Sequence, residues 1–206
     1  MKKGQIVAVT AILSMAATAA QAQIGLDVAL SGAGVFSKST SSSTTNVSND
    51  PTNSAAIFGS IRYNFNEHHA VELDLGHTNN SQIFTVPPDT FRLKTGIFEY
   101  TAAYVFSPLT KGRWKPFLLA GGGGLGFTVD ATYIDNLPTQ LGTVRQNRPA
   151  VLYGGGTDYE VWGHLGLRLQ YRGLVFRAPD FGVPSRFYTG ARGHMAEPAV
   201  GIVVKF

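Results

Sequence analysis

Residues 57–65 read Ile-Phe-Gly-Ser-Ile-Arg-Tyr-Asn-Phe, and this stretch decides the fold class. Positions 57, 59, 61, 63 and 65 are apolar, aromatic or glycine, whereas positions 60, 62 and 64 are Ser, Arg and Asn. Successive side chains of a β-strand point to opposite faces, so this alternation predicts a strand with one apolar face and one polar face. The spacing typical of an amphipathic helix is hard to find anywhere after Gln23.

Seven other segments are predicted as strands, several of them close to the roughly 9–11 residues that a tilted membrane strand requires. Residues 165–176 repeat the pattern clearly, because apolar positions 165, 167 and 169 alternate with Gly166, Arg168 and Gln170. The other six segments are residues 26–36, 70–76, 93–106, 115–127, 150–159 and 198–206. The sequence therefore predicts an all-β protein of eight antiparallel strands.

The connections between these segments alternate in length. Four are long: residues 37–56, 77–91, 128–149 and 177–195. Three are short: residues 66–69, 107–113 and 160–164. This order places the short turns and both chain ends on one side, as in an outer-membrane barrel with periplasmic turns and extracellular loops. A soluble β-sandwich would also alternate, but it has no reason to sort its loops in this way.

Aromatic residues lie beside the predicted short turns. They are Tyr63, Phe65, Tyr104, Phe106, Tyr159 and Trp162. Outward-facing aromatic side chains at strand ends are typical of the interface between a bilayer and water. The alternative interpretation is that they are ordinary strand-forming residues in a soluble core.

The first 22 residues have the features of a cleaved signal peptide. Lys2 and Lys3 precede an apolar run over residues 6–20, and Ala20-Gln21-Ala22 has the small-x-small form of a cleavage site. The alternative is an anchoring helix, but the run is shorter than the roughly 20 residues that span a bilayer. We expect cleavage after Ala22 and a single barrel domain over residues 23–206.

Composition excludes several classes of function. Without Lys2 and Lys3, 15 basic residues face 13 acidic ones, and they are scattered singly, which argues against nucleic-acid binding. The chain has no cysteine, so neither a disulfide framework nor a thiolate metal site is available. Stability must come from the backbone hydrogen bonds and from packing.

The chain ends in Gly-Ile-Val-Val-Lys-Phe over residues 201–206. With the eight strands, this ending resembles the small eight-stranded outer-membrane barrel family that includes the OmpA transmembrane domain and OmpX. The resemblance implies that Gly201, Val204 and Phe206 form the signal read by the barrel-assembly machinery, although Ala199 stands where that signal usually has a polar residue. It also implies an integral protein of the Gram-negative outer membrane, an up-and-down transmembrane β-barrel in contact with membrane lipids and lipopolysaccharide.

An eight-stranded barrel has room inside only for side chains. The alternation directs a set of charged residues inward: Asp27, Arg62, Glu72, Asp74, Glu99, Asp158, Arg168 and Arg172. Because an isolated buried charge is costly, we expect these acids and bases to pair in a closed network. The alternative is a narrow path for ions.

Two glycine runs, residues 121–124 and 154–156, invite a phosphate-loop interpretation. Neither is followed by Lys and Ser or Thr, and neither opens a plausible helix. They are predicted instead to be strand glycines, which permit the bending that a small barrel needs.

No catalytic, cofactor or metal site is predicted. Barrel deacylases of lipid A are recognised by a His-x-Ser motif. In this sequence no serine stands two places after His77, His164 or His194. Barrel palmitoyl-transferases begin with an amphipathic helix, for which the few residues after Gln23 leave no room. His68 and His69 are adjacent in a turn, where neighbouring side chains diverge.

The predicted function is a structural or surface-interaction role, carried by the long extracellular loops. Residues 37–56 form a polar, almost uncharged tract that suits a flexible segment or a binding loop for an extracellular ligand. Two alternatives remain open: a narrow pore for solutes or ions, and an enzyme that modifies lipid A.

Overall fold

The computed structural model describes residues 25–42 and 46–206, so the predicted signal peptide and its cleavage site lie outside the described residues. The elements in chain order are β1 (Leu26–Ser37), β2 (Thr40–Ser41), β3 (Ser48–Pro51), β4 (Ser54–Asn64), β5 (His69–Val86), β6 (Asp89–Phe106), β7 (Trp114–Ile134), β8 (Leu137–Thr139), β9 (Gln146–Trp162), β10 (Leu165–Arg177), α1 (Pro184–Phe187) and β11 (Arg192–Lys205).

Eight of these strands form a closed antiparallel barrel, as predicted. The order around the wall is β1-β4-β5-β6-β7-β9-β10-β11, and pairing of β11 with β1 closes the ring. Because the ring is closed, each barrel strand is paired along both edges. A β-sheet in lipid requires this pairing, since its backbone groups cannot bond to water there. No helix among the described residues is long and apolar enough to cross a membrane.

The barrel has its polar side chains inside and its apolar side chains outside. In β10, Arg168 is 1% exposed, whereas the adjacent Leu169 is 50% exposed. In β4, Arg62 is buried and the neighbouring Ile61 and Tyr63 are exposed. A water-soluble sandwich would show the reverse, so this pattern is that of a wall facing lipid.

Five of the six aromatic residues predicted at the short-turn end are exposed: Tyr63, Phe65, Tyr104, Phe106 and Trp162. Tyr159 is half-buried and packs on Trp114, with ring centroids 4.7 Å apart. The short turns, residues 65–68, 107–113 and 163–164, lie at the same end as both ends of the barrel sequence. The predicted sorting of short connections is confirmed.

Three of the predicted long connections are confirmed, with shorter bounds, as residues 38–53, 135–145 and 178–191. The fourth, residues 77–91, is wrong, because β5 and β6 continue through it and meet at the turn formed by Pro87 and Pro88. These strand ends are not recognisable from the sequence, for a physical reason. Beyond the membrane, the outer face of a strand meets water, so His77 and Asn79 stand where lipid-facing residues would be apolar.

The barrel wall is taller on one side. Strands β5, β6, β7 and β9 have 18, 18, 21 and 17 residues, whereas β1, β4, β10 and β11 have 12, 11, 13 and 14. A membrane strand needs only about 9–11 residues. The four long strands therefore extend past the membrane at the loop end, and we call this extension the tall wall. The predicted start of the last strand at Pro198 is six residues late, since β11 begins at Arg192.

The glycine runs lie within β7 and β9, as predicted. A Cβ atom on Gly121 would lie 2.0 Å from the carbonyl oxygen of Ala102, and one on Gly154 would lie 2.1 Å from that of Tyr171. Adjacent strands approach each other at these positions more closely than a side chain allows. The glycines thus permit the strong curvature of a small barrel.

Candidate functional site: the barrel interior and its mouth

Ion pairs fill the interior nearest the short turns. Members of this lower ionic cluster are Arg62, Glu72, Asp158, Arg168 and Lys205. Arg168 joins two carboxylates, with Nη1 2.7 Å from Glu72 Oε2 and Nε 2.7 Å from Asp158 Oδ1. Arg62 donates from Nε to the same Glu72 oxygen at 2.8 Å, and Lys205 Nζ lies 3.5 Å from Asp158 Oδ2. The cluster links β4, β5, β9, β10 and β11 across the barrel.

An aromatic ring supports the lower ionic cluster. The guanidinium carbons of Arg62 and Arg168 lie 4.2 and 5.3 Å from the ring centroid of Phe117. A cation over an aromatic face is attracted electrostatically, most strongly where water is excluded. Phe117 therefore stabilises both charges while filling the section of the barrel beside them.

Nearer the mouth, a second set of charges surrounds one arginine. This upper ionic cluster consists of Asp74, Glu99, Arg172 and Glu197. Arg172 contacts Glu99 directly, lies 3.6 Å from Asp74 and 3.3 Å from Glu197, and packs over the ring of Phe58. Thr101 donates to Asp74 at 3.0 Å. One guanidinium thus faces three carboxylates, whereas charges in the lower ionic cluster are balanced more evenly.

All eight charged residues predicted to face inward have buried side chains. Seven belong to the two ionic clusters, and Asp27 lies opposite Arg62 in the register of β1 and β4. Sequence reasoning missed Glu197 and Lys205. Glu197 shares its strand phase with Gly201 and Val203, but the predicted strand began one residue after it.

The mouth of the barrel is apolar inside, which the sequence did not predict. Phenylalanine rings from β5, β6, β7 and the last connection form a mouth plug: Phe84, Phe91, Phe127, Phe181 and Phe187. Phe187 stacks on Phe84 with centroids 4.5 Å apart and meets Phe91 at 5.3 Å. Residues 178–191 therefore fold back over the mouth and pack against the tall wall.

A polar anchor holds this last connection in place. Gln146 Oε1 accepts hydrogen bonds from the backbone amides of Asp180 and Phe181 at 3.1 and 3.0 Å, and its amide nitrogen donates to the Asp180 carboxylate. Arg148 lies 3.4 Å from the same carboxylate. Burial raises the pKa of Asp180, but hydrogen bonds from Gln146 and Gly182, with the Arg148 charge, outweigh it and hold this pKa below its ordinary value.

Beneath the first long connection, amide side chains form a polar patch beside the apolar mouth plug. Asn49 donates to Gln82 at 2.8 Å, and Gln82 donates to Asn80 at 3.0 Å. A cavity of about 10 Å³ adjoins them, bordered also by Thr40 and Met195. This volume matches about one water molecule, so it is no passage for a solute.

Four of the five histidines contact a backbone carbonyl or a tyrosine hydroxyl. His68 contacts the Ser107 carbonyl at 2.8 Å, and His164 contacts the Lys205 carbonyl at 2.8 Å. His194 Nε2 lies 2.8 Å from the Tyr153 hydroxyl on the outer wall. Within residues 25–42 and 46–206, no three His, Asp or Glu side chains are grouped so as to hold a metal ion.

The family model for the outer membrane protein beta-barrel domain matches residues 6–188. The chain belongs to this family. Comparison with curated proteins gives no match.

Among the solved structures similar to this outer-membrane barrel protein are two further outer-membrane or surface proteins. Outer membrane protein OprG from Pseudomonas aeruginosa has a TM-score of 0.62 at 13% identity, covering 89% of this chain and 96% of that one. Neisserial surface protein A has a TM-score of 0.53 at 19% identity, covering 88% and 97%. At these identities the likeness concerns the fold.

The predicted assembly-signal residues lie where this barrel protein closes. Gly201 packs closely against Ser31. A Cβ atom added at Gly201 would lie only 2.1 Å from the Ser31 hydroxyl oxygen. Val204 stands in register with Val28 on one side and Leu165 on the other. The Phe206 amide donates to the Leu26 carbonyl at 2.8 Å, joining the two ends of the barrel.

Proposed function

We propose that this outer-membrane protein is a closed, non-enzymatic barrel that presents its long connections outside the cell for contact with an extracellular partner. The observation that carries the proposal is the filling of the interior. Arg168 and Arg172 are 1% and 0% exposed, and Phe84, Phe181 and Phe187 are 0% exposed at the mouth. The two ionic clusters and the mouth plug follow one another along the barrel interior. This filling supports a closed barrel rather than a narrow pore.

The surface left free for a partner lies at the loop end. Leu137, Val144 and Tyr188 are 72%, 54% and 60% exposed there, in the connections after β7 and β10. Exposed apolar and aromatic side chains beyond the membrane-spanning part favour contact with another molecule. The tall wall gives these connections a rigid base.

Conductance separates this proposal from the pore alternative. Purified full-length barrel in a planar bilayer is expected to give no conductance steps, because ions would have to separate paired buried charges. Regular steps that disappear after heat denaturation would overturn the closed-barrel proposal. On expression, the lipid A mass spectrum is expected to stay unchanged; a new acylation state would instead support an enzyme.

Orientation is tested by chemical labelling. The chain has no cysteine, so single cysteines introduced at Asn136 and Lys111 provide unique targets. On intact cells, a membrane-impermeant maleimide is expected to label the cysteine at 136, in a long connection, and to miss the one at 111, in a short turn. Labelling of 111 alone would place the long connections in the periplasm and contradict the proposal.

We further propose that Gly201, Val204 and Phe206 serve as the assembly signal. The Phe206 amide closes the barrel through its backbone, so Phe206→Ala keeps that hydrogen bond while removing the aromatic ring. We expect a lower outer-membrane level in cells but an unchanged urea midpoint after refolding in vesicles. Normal outer-membrane levels of Phe206→Ala would argue against the signal.

A further inference from the structure

Three basic side chains form an unpaired group on the outer wall at the loop end. Lys38, Arg177 and Arg192 are all exposed, and they lie at or just beyond the ends of the neighbouring strands β1, β10 and β11. We call them the rim basic cluster. By strand alternation Arg177 and Arg192 face outward, since Phe176 and Gly193 beside them are buried.

The register brings these charges together. Arg177 and Arg192 are direct partners across β10 and β11, a placement that sets Cβ atoms about 4.5–5.5 Å apart. The Lys38 amide donates to the His194 carbonyl at 2.9 Å, which places Lys38 beside the same end of β11. Like charges directly opposite each other destabilise a sheet.

Several basic residues of this barrel have acidic partners, whereas the three residues of the rim basic cluster have none among the described residues and stand side by side. Lys115 lies 3.3 Å from Glu160, and Arg148 lies 3.4 Å from Asp180. In the part of the chain that the structure describes, no carboxylate lies within ion-pair distance of Lys38, Arg177 or Arg192. An anion from outside the chain would relieve the repulsion among the three.

The position of the rim basic cluster along the barrel axis indicates the kind of anion that fits it. Phe36, two residues before Lys38, is 51% exposed, and Tyr153, hydrogen-bonded to His194, is 42% exposed. Exposed rings near the end of a membrane-facing wall are typical of the edge of the hydrocarbon layer. Charges immediately beyond them, on the lipid-facing side, lie at the depth of lipid headgroups.

We propose that Lys38, Arg177 and Arg192 bind a phosphate group of lipid A in the outer leaflet. Arginine suits this ligand because its planar fork donates two parallel hydrogen bonds to phosphate oxygens. Arg177 and Arg192 are strand residues and Lys38 directly follows β1, so the site is distinct from Leu137, Val144 and Tyr188, which are proposed to contact an extracellular partner. It does require the loop end to face the outer leaflet.

Binding is measured by titrating the purified full chain in neutral detergent with lipid A carrying both phosphates. We expect Arg177→Gln and Arg192→Gln each to weaken binding about tenfold, and the double variant to lose it, because each removes charge-assisted hydrogen bonds. Arg113→Gln is the matched control, an exposed arginine at the short-turn end that should bind as the parent does. Dephosphorylated lipid A is expected not to bind.

Stability without the lipid gives an independent readout. In neutral detergent, Arg177→Gln is expected to leave the heat-unfolding midpoint unchanged or to raise it, because the repulsion with Arg192 is removed. Lipid A should raise the parent's midpoint more than the variant's. A lower midpoint for Arg177→Gln both with and without lipid would indicate a purely structural role and overturn the proposal.

Two further outcomes would overturn the lipid assignment. Equal lipid A affinity in the parent and both arginine variants would exclude the rim basic cluster as the site. Displacement of lipid A by inorganic phosphate at equal concentration would assign the site to a free anion. The cysteine-labelling experiment keeps these failures separate from an inverted orientation, since binding in detergent does not depend on which way the barrel faces.

Discussion

At the scale of single residues, the charges buried inside the barrel depend on one another. Arg168 is paired with Glu72 and Asp158 in a section that excludes water. The net contribution of such a buried pair to the stability of the barrel is small, because the cost of desolvating the two charges offsets their attraction. Removing one partner is different, since it leaves the other charges buried and unmatched. Single substitutions therefore measure how strongly the stability of the barrel depends on each of these charges.

Arg168→Ala is expected to destabilise the barrel by about 3–5 kcal/mol, because two buried carboxylates lose their main partner. Gln140→Ala, at an exposed position in a long connection, is the control and should change little. Urea midpoints of both variants in lipid vesicles measure the difference, and equal midpoints would contradict the prediction.

The upper ionic cluster has an excess of carboxylates around Arg172. Glu197→Gln is expected to leave the urea midpoint unchanged or to raise it, because one of three carboxylates facing a single guanidinium becomes neutral. Glu72→Gln is the matched control and should lower the midpoint, since Glu72 lies between Arg62 and Arg168. A large loss of stability in Glu197→Gln would show that its charge is needed.

At the scale of elements, strand curvature depends on where side chains are missing. Gly121→Ala would bring a methyl group to 2.0 Å from the Ala102 carbonyl oxygen, so β6 and β7 would have to separate. We expect a loss of at least about 1–3 kcal/mol, the usual cost of overpacking. Gly32→Ala is the control, because nothing lies within 4 Å of its Cβ position. Similar urea midpoints would argue against close strand approach.

The last connection is an element whose docking should depend on pH. Because the pKa of Asp180 is lowered in the folded protein, its contribution is complete above the ordinary aspartate pKa of about 4 and is lost as pH falls through the lower folded value. Hydrogen exchange of residues 178–191, corrected for intrinsic rates, should show lost protection in strong acid.

Asp180→Asn provides the control for that pH dependence. The amide side chain cannot titrate, so protection of the connection should be weaker at neutral pH and change little in acid. If the parent and Asp180→Asn lose protection over the same pH range, some other group controls the docking of this connection.

At the scale of the whole molecule, closure makes the barrel cooperative. Every barrel strand pairs on both sides, and the β1–β11 pairing joins its two ends. We expect the mature protein to run at a different apparent mass on a gel when unheated and to remain in the outer-membrane fraction. Mature material that is freely soluble and monomeric without detergent would contradict the arrangement of apolar residues outside and charges inside.

The sequence by itself determined the strands within the membrane. Residues 59–65 and 165–172 alternate strictly because lipid selects one face and the crowded interior selects the other. The same phase placed Arg62, Arg168 and Arg172 on the inner side, and the sorting of short turns followed from the order of the strands. These features depend only on neighbours along the chain, which a periodic pattern records.

Only the tertiary structure decided how the mouth is closed. Outside the membrane both faces of a strand can be polar, so the pattern disappears and residues 77–91 look like a loop. Phe187 meets Phe84 and Phe91 across about a hundred residues of chain, and no local spacing encodes that contact. The ion-pair partners of Arg168 are likewise fixed by which strands the closed ring brings together, because a side chain's partner across a barrel depends on register and shear rather than on its own sequence.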